Sequence, residues 1–260
     1  MNFANGVQTW PRKYPVLDVG ISATTYDEAV AAIMTAAREE ERAIVNAAPV
    51  HAVVTAARDP VLKQKLNSFE LVVPDGQPVR WALNLLHRTH LSDRVYGPEL
   101  MLRLCRRASE EGTGVYLYGS APHVVERLCE NLARWFPTLR IVGSESPPFR
   151  ALTPEEDQAM VARINRTGAR IIFIGLGCPR QDEFAFAHRP VIEGVQVCVG
   201  AAFDFHSGNK PMAPAWMQRR GLEWVFRLVR EPARLWRRYL VTNSIFLARF
   251  SRELLRARRA

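Results

Sequence analysis

Six short, almost wholly apolar runs, separated by stretches with helical character, constrain this chain more than any other feature. They cover residues 43–45, 71–73, 115–118, 140–142, 171–174 and 195–199. Most are rich in β-branched residues and do not alternate with polar ones, the pattern of strands buried on both faces. Helix starts are marked between them. Thr25-Tyr26-Asp27-Glu28 is a capping box leading into a helix over 29–38, and Thr153-Pro154-Glu155-Glu156 is a second with proline at the first helical position. Strand–helix alternation at this spacing predicts an α/β fold with a largely parallel sheet.

Composition agrees with a packed domain. The 260 residues are 48% hydrophobic and 23% charged, which excludes a disordered or fibrous chain. No apolar run is long enough to span a bilayer, and residues 1–15 lack the apolar core of an export signal. The four cysteines form no Cys-x-x-Cys pair, so free thiols in a reducing cytoplasm are expected rather than disulfides or a zinc site.

The charge is unevenly placed. Residues 216–260 hold twelve arginines against Glu223, Glu231 and Glu253, a balance of +9 that equals the net charge of the whole chain. A neutral body over 1–210 therefore precedes an Arg-rich helical appendage over 211–260, with Pro211 and Pro214 at the boundary. Two helices are predicted there, 216–230 and 233–259. In the second, Leu235, Tyr239, Phe246, Phe250 and Leu254 form an apolar stripe suited to an anionic bilayer. The alternative is a helix docked on the body with solvated arginines. No helix-turn-helix or base-reading pattern supports nucleic-acid binding.

Several strand ends carry candidate chemistry. The run 171–174 leads into Gly175-Leu176-Gly177-Cys178-Pro179-Arg180-Gln181, where glycines and a helix N-terminus suit a phosphate. Gly119-Ser120 follows the run 115–118 in the same way, which suggests a nucleotide across both turns at a switch point of the sheet. Each is equally an ordinary tight turn. Pro74-Asp75-Gly76 presents Asp75 either as a base or as a turn residue serving its own backbone. Asp204 is read at the end of the sixth strand, placed for ribose hydroxyls or for capping. His51 and His206 lack spaced partners and read as structural. With no Asp-x-Asp, His-Glu-x-x-His or P-loop lysine, no metal seat is expected.

Together these segments resemble the WecG/TagA/CpsF glycosyltransferases, glycosyltransferase family 26. The likeness spans residues 17–240. It rests on Pro74-Asp75-Gly76, Arg94-Val-Tyr-Gly97, Tyr116-Leu-Tyr-Gly119, Gly175 to Gln181, Val199 to Asp204, and Gly221 to Tyr239. The resemblance implies a Rossmann-like sheet and an inverting, metal-independent transferase without a cofactor. It implies a UDP-sugar donor, often of the N-acetylmannosamine type, with glucose or a uronic acid as alternatives. The implied acceptor is a sugar on polyprenyl diphosphate at the inner membrane face.

By that likeness the catalytic positions are Asp75 and Gln181. Gly119, Ser120, Gly175, Gly177, Pro179, Arg180 and Asp204 are expected around the donor. Arg227, Arg234 and Arg237 would meet the acceptor's diphosphate and the membrane. Homo-oligomer formation is left open. The chain departs from the family where relatives often carry Thr-x-Asn and it has Ala47 and Pro49, with Asn46 out of register. It also has Ala201-Ala202 for Gly-Gly, Met212 for Arg before Ala-Pro, and Asp182 for Glu after Gln181. Two other readings of the residues are a nicotinamide-dependent oxidoreductase, which lacks the third glycine of its fingerprint, and a nucleic-acid module built on the tail.

Overall fold

In the computed structural model, residues 10–257 are described, except the side chains of Arg234 and Arg238. The chain opens with a hairpin, β1 (Lys13–Val16) and β2 (Val19–Ser22), then α1 (Tyr26–Arg38) with its Thr25 capping box formed. β3 (Ile44–Ala48) leads to α2 (Val50–Arg58) and α3 (Pro60–Ser68). β4 (Leu71–Pro74) is followed by α4 (Gln77–His87) and α5 (Gly97–Glu111). Next come β5 (Val115–Gly119), α6 (Pro122–Trp135), β6 (Ile141–Glu145) and α7 (Pro154–Arg166), whose Thr153 box is also formed. β7 (Ile171–Gly175), α8 (Arg180–His188), β8 (Val195–Cys198) and α9 (Ala202–His206) close the body. α10 (Ala215–Arg219), α11 (Glu223–Arg230) and α12 (Pro232–Ala257) form the C-terminal segment.

The main sheet runs β4-β3-β8-β7-β5-β6, and every neighbouring pair is parallel. Its two faces bury separate apolar layers. Val45, Val73, Leu117, Phe173 and Val197 face one; Ile44, Val72, Tyr118, Ile174 and Cys198 face the other. This double burial is why the strands read as continuous apolar runs.

Two expectations are corrected, and one element is new. The β1–β2 hairpin is unforeseen, because Leu17 and Asp18 turn the chain with positive φ and no Gly or Asn marks the site. The single helix expected over 216–230 is two, because Gly221 adopts φ +71° and breaks it. Asp204 is not at a strand end but inside α9, where its carboxylate accepts from Asn209 Nδ2 at 2.7 Å and pairs with Lys210.

On α12 the buried residues support the alternative reading, a helix docked on the body. Leu235 and Phe246 are buried, and Phe246 belongs to the apolar layer that includes α2 and α4. α12 is therefore docked on the body through that face. A different set, including Trp236, Leu240 and Leu247, is exposed.

Gly119 shows what the sheet demands of a turn. A Cβ there would stand 2.6 Å from the Gly175 carbonyl carbon, and its φ is +131°. Gly119→Ala is expected to lower stability by about 3 kcal/mol through strain and overpacking, read by urea denaturation.

Candidate active site

A cavity of about 610 Å³ opens over the carboxyl ends of β3, β4, β7 and β8, and α11 and α12 wall its other side. Asp75 lies on its lining, just past β4. The turn is fixed by Asp75 N–H donating to the Ala48 carbonyl at 3.3 Å and by α4 starting two residues later. The Asp75 carboxylate accepts the Gly97 N–H at 2.6 Å, so the first residue of α5 orients it.

Around Asp75 is a closed polar group. Arg94 donates to Glu223 Oε2 at 2.8 Å, and the Tyr96 hydroxyl donates to Glu223 Oε1 at 2.9 Å. The Arg94 guanidinium lies 4.2 Å from the Tyr96 ring centre. All three side chains are buried. Burial raises the Asp75 carboxyl to about 6, and Glu223 adds to the rise; Arg94, the Gly97 N–H and Arg227 oppose it. Burial and the nearby carboxylates push the Tyr96 phenol far up, so it stays a donor.

Opposite stands the Gly175–Gln181 loop. Gly175 has no room for a side chain, since a Cβ would meet the Phe203 ring at 2.6 Å. Gly177 holds φ +79°. Its N–H donates to Gln181 Oε1 at 3.2 Å, so the buried glutamine braces the loop and also faces the cavity. Arg227 reaches the cavity from α11 and lies 5.6 Å from the Phe205 ring centre.

Of the residues expected from sequence, the cavity gathers Asp75, Gly175, Gly177, Gln181, Asp204 and Arg227. Gly119, Ser120, Pro179, Arg180 and Arg237 are not on its lining. Gly119 and Ser120 instead pack against Gly175, where the Ser120 N–H donates to the Gly175 carbonyl at 3.1 Å. The two glycine turns therefore touch each other, and only one faces the cavity. Arg180 is exposed, Arg237 lies 5.9 Å from the Trp236 ring centre, and the Arg234 side chain lies outside the described residues.

His206 is structural, its Nε2 against the Pro98 carbonyl at 2.9 Å. Among the described residues no cluster of three or more His, Cys, Asp or Glu could hold a metal ion.

Sequence reasoning did not assign roles to Arg94, Tyr96, Glu223, Lys210 or Asn243, and read Tyr239 only as part of the apolar stripe; all six line the cavity. For Glu223 a signal existed: it is one of three acids among the twelve arginines of the tail.

Comparison with known proteins fits this arrangement. The profile described as "Glycosyl transferase WecG/TagA/CpsF family" matches residues 14–260. The chain belongs to the WecG/TagA/CpsF glycosyltransferase family. It is similar to an N-acetylglucosaminyldiphosphoundecaprenol N-acetyl-beta-D-mannosaminyltransferase of Bacillus spizizenii, with 33% identity over 187 residues, 71% of this chain and 70% of the relative. As a WecG/TagA/CpsF member it is a glycosyltransferase of cell-envelope polysaccharide synthesis, and the oxidoreductase and nucleic-acid readings fall away.

Proposed function

We propose that this WecG/TagA/CpsF enzyme moves a sugar of the N-acetylmannosamine type from a UDP-sugar to a hydroxyl of a polyprenyl-diphosphate-linked sugar, with inversion and without a metal. The activity named for the relative supports both the lipid-linked acceptor and the sugar type. The observation that carries the mechanism is Asp75, held on the cavity lining by Gly97 with its carboxyl raised to about 6.

A group with that acidity is ionised at neutral pH yet basic enough to accept a proton. The acceptor hydroxyl attacks the anomeric carbon, its proton passes to Asp75, and the bond from that carbon to UDP breaks. Charge grows on the departing diphosphate. Arg227 is the cation on the lining suited to that need, with the Gln181-braced loop opposite; Lys210 is engaged with Asp204 and Glu231. Arg94 is committed to Glu223, so it shapes the field at Asp75 rather than binding phosphate freely.

The test is a screen of UDP-sugars against a lipid-diphosphate-linked N-acetylglucosamine acceptor, with chelator present and mass spectrometry as readout. Transfer from one UDP-sugar with chelator is expected. Transfer only when a divalent cation is restored would sink the metal-free part. No transfer from any UDP-sugar would sink the donor assignment.

The relative's lipid-linked acceptor supports a peripheral position at the cytoplasmic face of the membrane. Among the described residues, no helix is long and apolar enough to cross a membrane. The exposed Trp236, Leu240 and Leu247 lie on α12 together with arginines. Each arginine near an anionic leaflet contributes about 1 kcal/mol. Sedimentation with anionic vesicles at low salt and release as salt rises are expected. Trp236→Ser with Leu240→Ser should weaken that binding and leave UDP affinity unchanged. Equal vesicle binding by the double variant would remove α12 from the membrane contact.

A further inference from the structure

Behind the Gly175–Gln181 loop lies a buried polar pair that the proposed mechanism leaves unused. Asn46 sits in β3, in a strand otherwise apolar, and Asp182 sits in the first turn of α8, directly after Gln181. Both are completely buried. Asn46 Nδ2 donates to Asp182 Oδ1. The other two side-chain oxygens, Asn46 Oδ1 and Asp182 Oδ2, are each buried without a hydrogen-bond partner.

Two orphaned acceptors on a pair that is already in contact are costly if Asp182 is a carboxylate, the more so where charge is involved. One proton removes both defects. A carboxylic acid and a primary amide match each other as a planar ring of two hydrogen bonds, N–H to C=O and O–H to C=O.

We propose that Asp182 is a neutral carboxylic acid that donates from Oδ2 to Asn46 Oδ1, closing a two-hydrogen-bond ring that joins α8 to β3 and positions Gln181. The groups facing it fit this state. Glu183 on the same helix and the Cys198 thiol on β8 are acidic groups, and Cys178 and Gln181 are polar neighbours from the loop. Among the described residues, no cation is one of the groups that act on its acidity. Burial and Glu183 raise the carboxyl to about 7, while hydrogen bonding to Cys178 and Gln181 pulls the other way. The helix N-terminus also favours the anion, but burial outweighs it.

The link has a clear structural target. Gln181 precedes Asp182 in the same turn, its Oε1 holds the Gly177 N–H, and its carbonyl accepts from Cys198 Sγ at 3.5 Å. Asn46 is followed by Ala47, which lines the cavity. The ring therefore fastens the glycine loop after β7 to the middle of β3, across β8. Asp182 is a positioning residue. The functional half of this inference rests on Gln181 belonging to the proposed site.

The test uses the full chain and the variants Asp182→Asn and Asp182→Leu. Asparagine keeps the ring, since its Nδ2 donates where the acid hydroxyl did. Three readouts are taken. Infrared difference spectra of wild type against Asp182→Asn at mildly acidic pH should show a buried carboxylic-acid C=O band that the variant lacks.

Melting temperature is followed against pH. A carboxyl raised in the folded state stabilises fully below its unfolded value of about 4, and that stabilisation is lost as pH rises through about 7. Wild type should therefore lose stability relative to Asp182→Asn across that window. Turnover of Asp182→Asn should stay within about threefold of wild type and lose the alkaline fall near pH 7, whereas Asp182→Leu should lose about 10- to 100-fold through misplacement of the loop.

An absent band or parallel melting profiles would overturn the neutral acid. An Asp182→Asn turnover as poor as that of Asp182→Leu would overturn the positioning role. The infrared and melting readouts need no substrate, so they stand or fall apart from the proposed reaction.

Discussion

Asp75→Asn is expected to lower kcat by about 10²- to 10⁴-fold, the range for a lost general base, with UDP-sugar affinity nearly unchanged. The amide keeps the size of the side chain and can still accept the Gly97 N–H, so the turn should survive. The pH profile separates loss of the base from loss of the fold. In wild type, turnover should rise as Asp75 ionises through about 6. The residual activity of the variant should lack that acid limb. Stability moves in the opposite sense. The folded state holds its proton more tightly than the unfolded chain, so stabilisation present below about 4 fades as pH passes 6. The variant should therefore lose this pH-dependent component of stability. Turnover within about threefold of wild type, with the acid limb intact, would remove Asp75 from the chemistry.

Glu223→Ala should have the largest effect on stability, at about 3–5 kcal/mol in urea denaturation. The reason is the partner left behind. Arg94 is buried and ion-paired with Glu223, while the Tyr96 hydroxyl donates to the same carboxylate. Removing Glu223 leaves a buried guanidinium and a buried hydroxyl short of an acceptor. The freed Arg94 then turns its charge toward Asp75, so the acid limb of turnover should move to lower pH. Arg94→Met with Glu223→Met should recover much of the stability, because both charges leave together. A loss below about 1 kcal/mol in the single variant would mean that solvent reaches Arg94 and that the C-terminal segment is not a wall of the cavity.

These two residues also mark how far the sequence could be read. Asp75 was legible because a strand end, a turn and a family motif coincide within three positions. The sheet was legible for a related reason: apolar layers on both faces leave each strand as an unbroken apolar run. Glu223 stands out in the sequence only as a rare acid in the tail, and its role was not legible, because its partners Arg94 and Tyr96 lie 129 and 127 positions away. Local spacing carries no information about a pair that only tertiary packing creates.

The α12 stripe left two readings open. Helical spacing correctly marked Leu235 and Phe246 as one face, but it could not say whether protein or lipid covers that face. Asp204 was misplaced because the apolar character of 195–203 continues past the hydrogen-bonded strand into the start of α9.

The order of the main sheet has a consequence for how the chain is made. β8 lies between β3 and β7, yet it is the last of the six strands in the sequence. A ribosome releasing the chain from its N-terminus delivers two half-sheets, β3–β4 and β5–β6–β7, that have no edge in common until residues 195–198 emerge. During that interval β3 and β7 each present an open apolar edge, the kind of surface that pairs with the wrong strand. The central strand therefore acts as a late keystone. A nascent chain stalled before it should bind holdase chaperones, and one that has cleared it should not.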